Sequence, residues 1–157
     1  MSMPEQIVSR QVIVDRARAW IGTPYHHQAS LCGVGTDCIG LVRGLWRELY
    51  GREPEALPGY RSDWAEATGK ETLLEAARRH FVEIAPCDAR QGDLLAFRYR
   101  RGFVAKHVGI LVAPVSDTPM RTTFIHATEG APVAEVMLAA WWQRRLAGAF
   151  SFPGISD

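Results

Sequence analysis

Apolar residues in the first third of the chain recur at helical spacing. Over residues 11–21, Val12, Ile13, Ala17, Trp20 and Ile21 fall near one face of a helix, and Gly22-Thr23-Pro24 ends it. Residues 25–36 read as a loop, with glycines at Gly33 and Gly35. A second helix is predicted from Asp37, a residue type suited to an N-cap, to Tyr50. Its buried stripe is Leu41, Val42, Leu45, Trp46 and Leu49, and Gly51 is its stop. Residues 52–69, with Pro54, Pro58 and Gly59, read as an extended surface connection before a third helix over 70–80.

After Pro86 the period changes. Short runs rich in β-branched and aromatic residues predict strands over 93–99, 107–112, 122–127, 133–138 and 147–152. Turn formers such as Pro114, Asp117, Pro119, Gly130 and Pro132 separate several of them. Helices first and strands afterwards predict an α+β fold, with N-terminal helices packed on an antiparallel β-sheet. No internal repeat or low-complexity stretch divides residues 1–157, so one domain is expected.

Composition narrows the function classes. With 47% hydrophobic and 22% charged residues the chain is an ordinary globular sequence, and its formal net charge of +1 gives no strong field for nucleic acid or an anionic membrane. Residues 1–15 hold no positive stretch leading into a long apolar run, so neither a secretory signal nor membrane insertion is expected, and synthesis is assigned to the cytoplasm. Cys32, Cys38 and Cys87 are odd in number and lack CxxC spacing, which argues against a disulfide framework. Arg98, Arg100, Arg101 and Lys106 form a local basic run, read as a solvated loop with an acidic partner or polymer as the alternative.

Cys38 opens the second predicted helix, where unpaired N–H groups and the helix dipole favour a thiolate and can stabilise an oxyanion beside the sulfur. Gly40, two residues on, carries no side chain to obstruct an approaching substrate backbone. The same position also suits a buried, inert thiol, and position alone does not choose. A thiol nucleophile needs a base, which histidine supplies near neutral pH. His107 opens one strand and His126 lies near the end of the next. A hairpin around residues 114–120 sets the two opposite each other within about one residue of register, so that one acts as base and the other holds its ring. His26, His27, Cys32 and Cys38 match no common zinc spacing, and no metal or cofactor is expected. His80 reads as an exposed helix-end residue, and Cys87 as incidental.

Together these segments resemble the NlpC-type cell-wall cysteine peptidases. That resemblance rests on Asp37-Cys38-Ile39-Gly40, His107-Val108-Gly109-Ile110 and Phe124-Ile125-His126-Ala127, flanked by Gly22-Thr23-Pro24-Tyr25 and Gly92-Asp93-Leu94-Leu95-Ala96-Phe97. It implies a papain-like fold and hydrolysis of an amide in the stem peptide of peptidoglycan. Cys38 is then the nucleophile, His107 the base and His126 the orienting residue. Tyr25, Asp37 and Gly40 become the oxyanion and substrate-binding candidates. Ile39 stands where serine is common, which changes pocket lining, and residues 113–121 make a long hairpin loop.

Within the family the chain is similar to the branch encoded with phage tails and gene transfer agents. Tyr25-His26-His27-Gln28-Ala29-Ser30, the long connection after Trp46 and the ending from Trp141-Trp142 to Pro153 carry that likeness. It implies tail tip or baseplate partners, incorporation into a phage-like particle and action in the periplasm. A structural or adaptor component with little activity is the alternative, with Trp141 and Trp142 as candidate docking anchors, although core packing is the role expected of them. Amide or acyl transfer on the same scaffold is another.

Overall fold

The computed structural model describes residues 7–54, 69–112 and 122–156. Most of the expected surface connection, and the hairpin loop over 113–121, lie outside the described residues. Helix α1 (Arg10–Ala19) is capped by Ser9, whose hydroxyl accepts from Val12 N. Helix α2 (Cys38–Tyr50) starts after Asp37 and ends at Gly51, whose φ of 84° permits the turn out of the helix. The expected stripe is seen: Leu41, Leu45 and Leu49 are buried, with Val42 and Trp46 half-buried against the same core. A Cβ on Gly44 would fall 2.2 Å from the Trp20 ring, so glycine there lets the indole of α1 lie directly on α2.

Between these helices a short hairpin, β1 (Ser30–Leu31) and β2 (Gly35–Thr36), occupies what the sequence reads as loop. Helix α3 (Thr72–His80) follows, then β3 (Val82–Ile84), β4 (Leu94–Phe97), β5 (His107–Leu111), β6 (Thr123–His126) and β7 (Ala134–Met137). A four-residue helix α4 (Ala140–Gln143) leads into β8 (Leu146–Ser151). The six larger strands form one sheet in the order β3-β8-β4-β5-β6-β7, and every pairing is antiparallel. The α+β architecture is therefore as expected, with β3 and α4 added.

Both faces of the central strands are buried, so β4 reads apolar at every position rather than alternating. Leu94, Ala96, Val108, Ile110 and Ile125 meet Ile13, Ala17, Leu41 and Leu45 of the helices. Leu95, Phe97, Leu111 and Phe124 form a second cluster on the other face, closed by Leu138 and the half-buried Trp142. Asp93, fully buried before β4, takes Arg10 Nη1 at 2.7 Å and the Ser151 hydroxyl at 2.8 Å, fastening α1 to the sheet. His80 is not the exposed residue the sequence suggests: it is half-buried, edge-on to Trp46 at 6.4 Å.

Candidate active site

Helix α2 presents Cys38 at its first position, and the thiol meets the beginning of β5. Its Sγ donates weakly to the Lys106 carbonyl at 3.9 Å, and the Val108 N–H also reaches it. These two backbone groups flank His107, so the sulfur is seated against the chain on either side of that histidine. His107 is buried, and its Nε2 lies 2.8 Å from Nδ1 of His126, which is buried as well. The sequence candidates Cys38, His107 and His126 thus converge where α2 abuts β5 and β6.

The expected register needs correction. Ile110 pairs with Ile125 and Leu111 with Phe124, which sets His126 opposite Gly109 and diagonal to His107 by two residues. A one-residue offset would turn the two rings to opposite faces, whereas an offset of two keeps them on one. Gly109 leaves room for the Phe124 ring beside the pair, because a Cβ there would meet Phe124 Cδ2 at 2.6 Å. That shared face is aromatic. Trp142 stacks on His107 with centroids 5.2 Å apart and meets His126 edge-on at 5.2 Å, while Tyr99 lies 5.5 Å from His107. Trp142 is therefore a wall of the histidine pair rather than a docking anchor. Trp141 remains 43% exposed, with the Arg145 guanidinium 3.7 Å from its ring centroid.

Burial sets the protonation states. It pushes the Cys38 thiol up to about 12, with the neighbouring Asp37 charge adding to the rise, although the Val108, Ile39 and Cys38 N–H groups pull the other way. The helix-start effect expected from the sequence is present, but desolvation outweighs it. Burial also lowers His107 to about 3, with His126 contributing, and His126 to about 4. The resting site accordingly holds a neutral thiol and two neutral imidazoles at pH 7. A neutral pair sharing one hydrogen bond has one donor and one acceptor. With the proton on His107 Nε2, His126 Nδ1 accepts it and His107 Nδ1 is left with a lone pair.

This has a measurable consequence for stability. In the unfolded chain each histidine returns to an ordinary value of 6.5, well above the folded values of about 3 and about 4. Between those limits the unfolded state binds protons that the folded state refuses, so stability rises with pH across that window. The slope is at most about 1.4 kcal/mol per pH unit for each histidine. The thermal midpoint is expected to fall on acidification from pH 7 to pH 4.5, and to fall less in the double variant His107→Gln/His126→Gln. Equal pH slopes in calorimetry of the two proteins would contradict the assignment.

The three binding candidates fare differently. Tyr25 is half-buried, and its phenol is raised to about 12 by burial and then by Cys38, Asp37 and Glu129, which places it electrostatically beside the thiol. The Asp37 carboxylate is buried and spent on its own backbone, accepting from Gly40 N and from Gln28 N at 2.7 Å each, with His27 Nδ1 3.7 Å away. It braces the 25–29 loop against the helix start, rather than offering an oxygen to substrate. Gly40 needs the same correction. A Cβ there would stand 1.9 Å from the Ala29 carbonyl and 2.7 Å from Thr36 Oγ1, so the space belongs to the protein's own loop. Gly40→Ala is expected to cost about 1–3 kcal/mol of stability through overpacking, read as a lowered midpoint in denaturant unfolding.

Two residues that sequence reasoning missed share this neighbourhood. Tyr99 is raised by burial and then by Cys38, Tyr25 and Glu129, and the exposed Glu129 acts on both tyrosines. Their only local signal is polarity just beyond a strand end. Cys32 and Cys87 are exposed free thiols, and His26 and His27 lie at the surface.

A cysteine at a helix start, set against an antiparallel sheet that carries a histidine on its adjoining strand, gives the papain-like α+β fold of thiol hydrolases. The NlpC/P60 family profile matches residues 22–151, and the chain belongs to that family, whose members are cysteine peptidases and peptidoglycan hydrolases. Solved structures share the fold. The NlpC/P60 domain of the peptidoglycan hydrolase SagA is 24% identical with a TM-score of 0.61, over 92% of this chain and 100% of that one. An NlpC/P60 family protein from Bacillus cereus is 18% identical with a TM-score of 0.65, over 96% of this chain but 42% of that protein. The peptidoglycan hydrolase RipB from Mycobacterium tuberculosis is 18% identical with a TM-score of 0.52, over 90% of this chain and 63% of that one. No curated protein matches the chain.

Proposed function

We propose that the protein is a cysteine endopeptidase that hydrolyses an amide bond in peptidoglycan stem peptides. The observation that carries this reading is the buried His107–His126 pair, 2.8 Å apart, with His107 on the strand against which the Cys38 thiol is seated. Nδ1 of His107 takes the thiol proton as Cys38 attacks the carbonyl carbon. N–H groups at the start of α2, with the Tyr25 hydroxyl, face the developing oxyanion. Collapse breaks the C–N bond, the amine leaves with the proton held by His107, and a thioacyl enzyme remains. Water, deprotonated by His107, releases the acid and restores the thiol. His126 holds the ring orientation throughout.

Delivery on a phage-like or gene transfer agent tail, with tail tip or baseplate proteins as partners and the periplasm as the place of action, is part of the same proposal. Its support is the sequence likeness of residues 25–30 and of the C-terminal segment. Purified sacculi and free stem peptides, incubated with the protein and read by mass spectrometry, are expected to yield new amine and carboxyl ends. Absence of new ends from both, together with co-purification with tail particles, would favour an adaptor role instead.

A further inference from the structure

What α4 sets against the histidine pair is an indole. Trp142 stacks on His107 with the rings 27° apart and stands nearly perpendicular to His126, at 87°. One side chain therefore covers both rings that share the 2.8 Å hydrogen bond. Phe97 and Phe124 back the indole, with centroids at 5.1 Å and 5.4 Å. A helix of four residues does not hold its place alone. Arg145, just past its end, fastens it. Its Nη1 donates to the Trp141 carbonyl at 2.8 Å, its Nε to the Tyr99 carbonyl at 3.1 Å, and its guanidinium lies 3.7 Å from the Trp141 ring centroid. The Arg145 carbonyl in turn accepts from Arg98 N at 2.8 Å. Arg145 thus ties the helix that carries Trp142 to the segment that carries Tyr99, the second ring beside His107.

A hydrogen bond between neutral imidazoles is strengthened where water cannot compete for it, and the same exclusion disfavours a charged ring. We propose that Trp142, held by Arg145, is a positioning residue that seals the His107–His126 hydrogen bond from water and so keeps His107 available as a proton acceptor. The peptidase reading is needed only for the use made of that base, and the seal is tested without substrate. A stacked indole can also act in the opposite sense, favouring the imidazolium as a cation–π partner. The two roles differ in sign. Loss of a seal raises the pH at which the pair takes up a proton, whereas loss of a cation–π partner lowers it. Asp37 and Cys38 from α2, Tyr25, Tyr99, Lys106, Glu129 and Arg145 are the charged and titratable groups gathered around the pair. Replacing Trp142 changes none of them.

Imidazole nitrogen–proton correlation spectra of the substrate-free protein, followed from about pH 5 to about pH 8, test the seal. The two rings are assigned by the signals lost in His107→Gln and His126→Gln. Neither is expected to titrate in that range in the wild type, and in Trp142→Ala one of them is expected to do so, a rise of about one unit or more. Trp142→Phe, which refills most of the space, is expected to bring the midpoint back toward the wild-type position. Arg145→Lys keeps the charge but loses the fork, and a smaller rise of the same sign is expected there. That variant carries the test if Trp142→Ala does not fold. Absence of any rise in both Trp142→Ala and Arg145→Lys overturns the seal, and a rise in Trp142→Ala alone overturns the part given to Arg145. A rise that the acid limb of kcat/KM does not follow leaves the seal standing and overturns His107 as the base.

Discussion

Replacement of Cys38 by alanine is expected to reduce stem-peptide cleavage to background, a loss on the order of 10⁴-fold or more, with the fold retained. The thiol is the nucleophile at the start of α2, and alanine removes a single heavy atom whose hydrogen bond to the Lys106 carbonyl is long, at 3.9 Å. Such a truncation at a partly exposed position costs about 1 kcal/mol, within the reach of a small domain's stability. Alanine at Cys38 also leaves the Asp37 cap untouched, since that cap uses Gly40 N and Gln28 N. Steady-state cleavage by chromatography, with a thermal midpoint measured alongside, separates loss of chemistry from loss of structure. Undiminished cleavage would remove Cys38 from the mechanism.

The second large effect is expected at His107. Substitution by glutamine keeps a polar group in the aromatic box but removes the base, and kcat is expected to fall about 10²- to 10⁴-fold with KM little changed. Glutamine is preferable to alanine because Trp142 stacks directly on the ring, and truncation would open a cavity. His126 acts through His107, so His126→Ala is expected to cost less, and His126→Asn, which keeps an acceptor near the Nδ1 position, to recover part of that loss. The pH profile tells these roles apart from mere packing. His107 must be neutral to accept the thiol proton, and its burial lowers it to about 3. The acid limb of kcat/KM therefore lies below the ordinary histidine value in the wild type, and it disappears in His107→Gln. A profile with an unchanged acid limb in that variant assigns the proton transfer elsewhere.

How much of this was readable in advance depends on how local each cause is. Asp37 as a cap and Gly51 as a stop are local, since each acts on backbone groups within a turn, and both were legible. The convergence of Cys38, His107 and His126 was legible through ordered motifs, and strand periodicity set the histidines on neighbouring strands. Their diagonal offset was not, because register is set by the pairing of β5 with β6 and not by the period within either strand. Gly40 was noticed for its missing side chain, but the atom that fills the space, the Ala29 carbonyl, comes from a loop folded back over the helix start. Trp142 and Tyr99 reach the site only through the order of the strands, which their neighbours in sequence do not encode. Thiol acidity shows the same limit most sharply. A helix start argues for a thiolate, yet burial contributed by distant segments decides the resting state.

The central claim is that Cys38 forms a covalent bond to the carbonyl of a stem peptide. Rapid acid quenching of the protein with such a peptide, followed by peptide mapping in a mass spectrometer, tests it directly. The account predicts an acyl adduct on the fragment containing Cys38, formed with release of the amine product and absent from the Cys38→Ala protein. Amine release from the wild-type protein with no adduct at Cys38, and at the same rate in the Cys38→Ala protein, would contradict it.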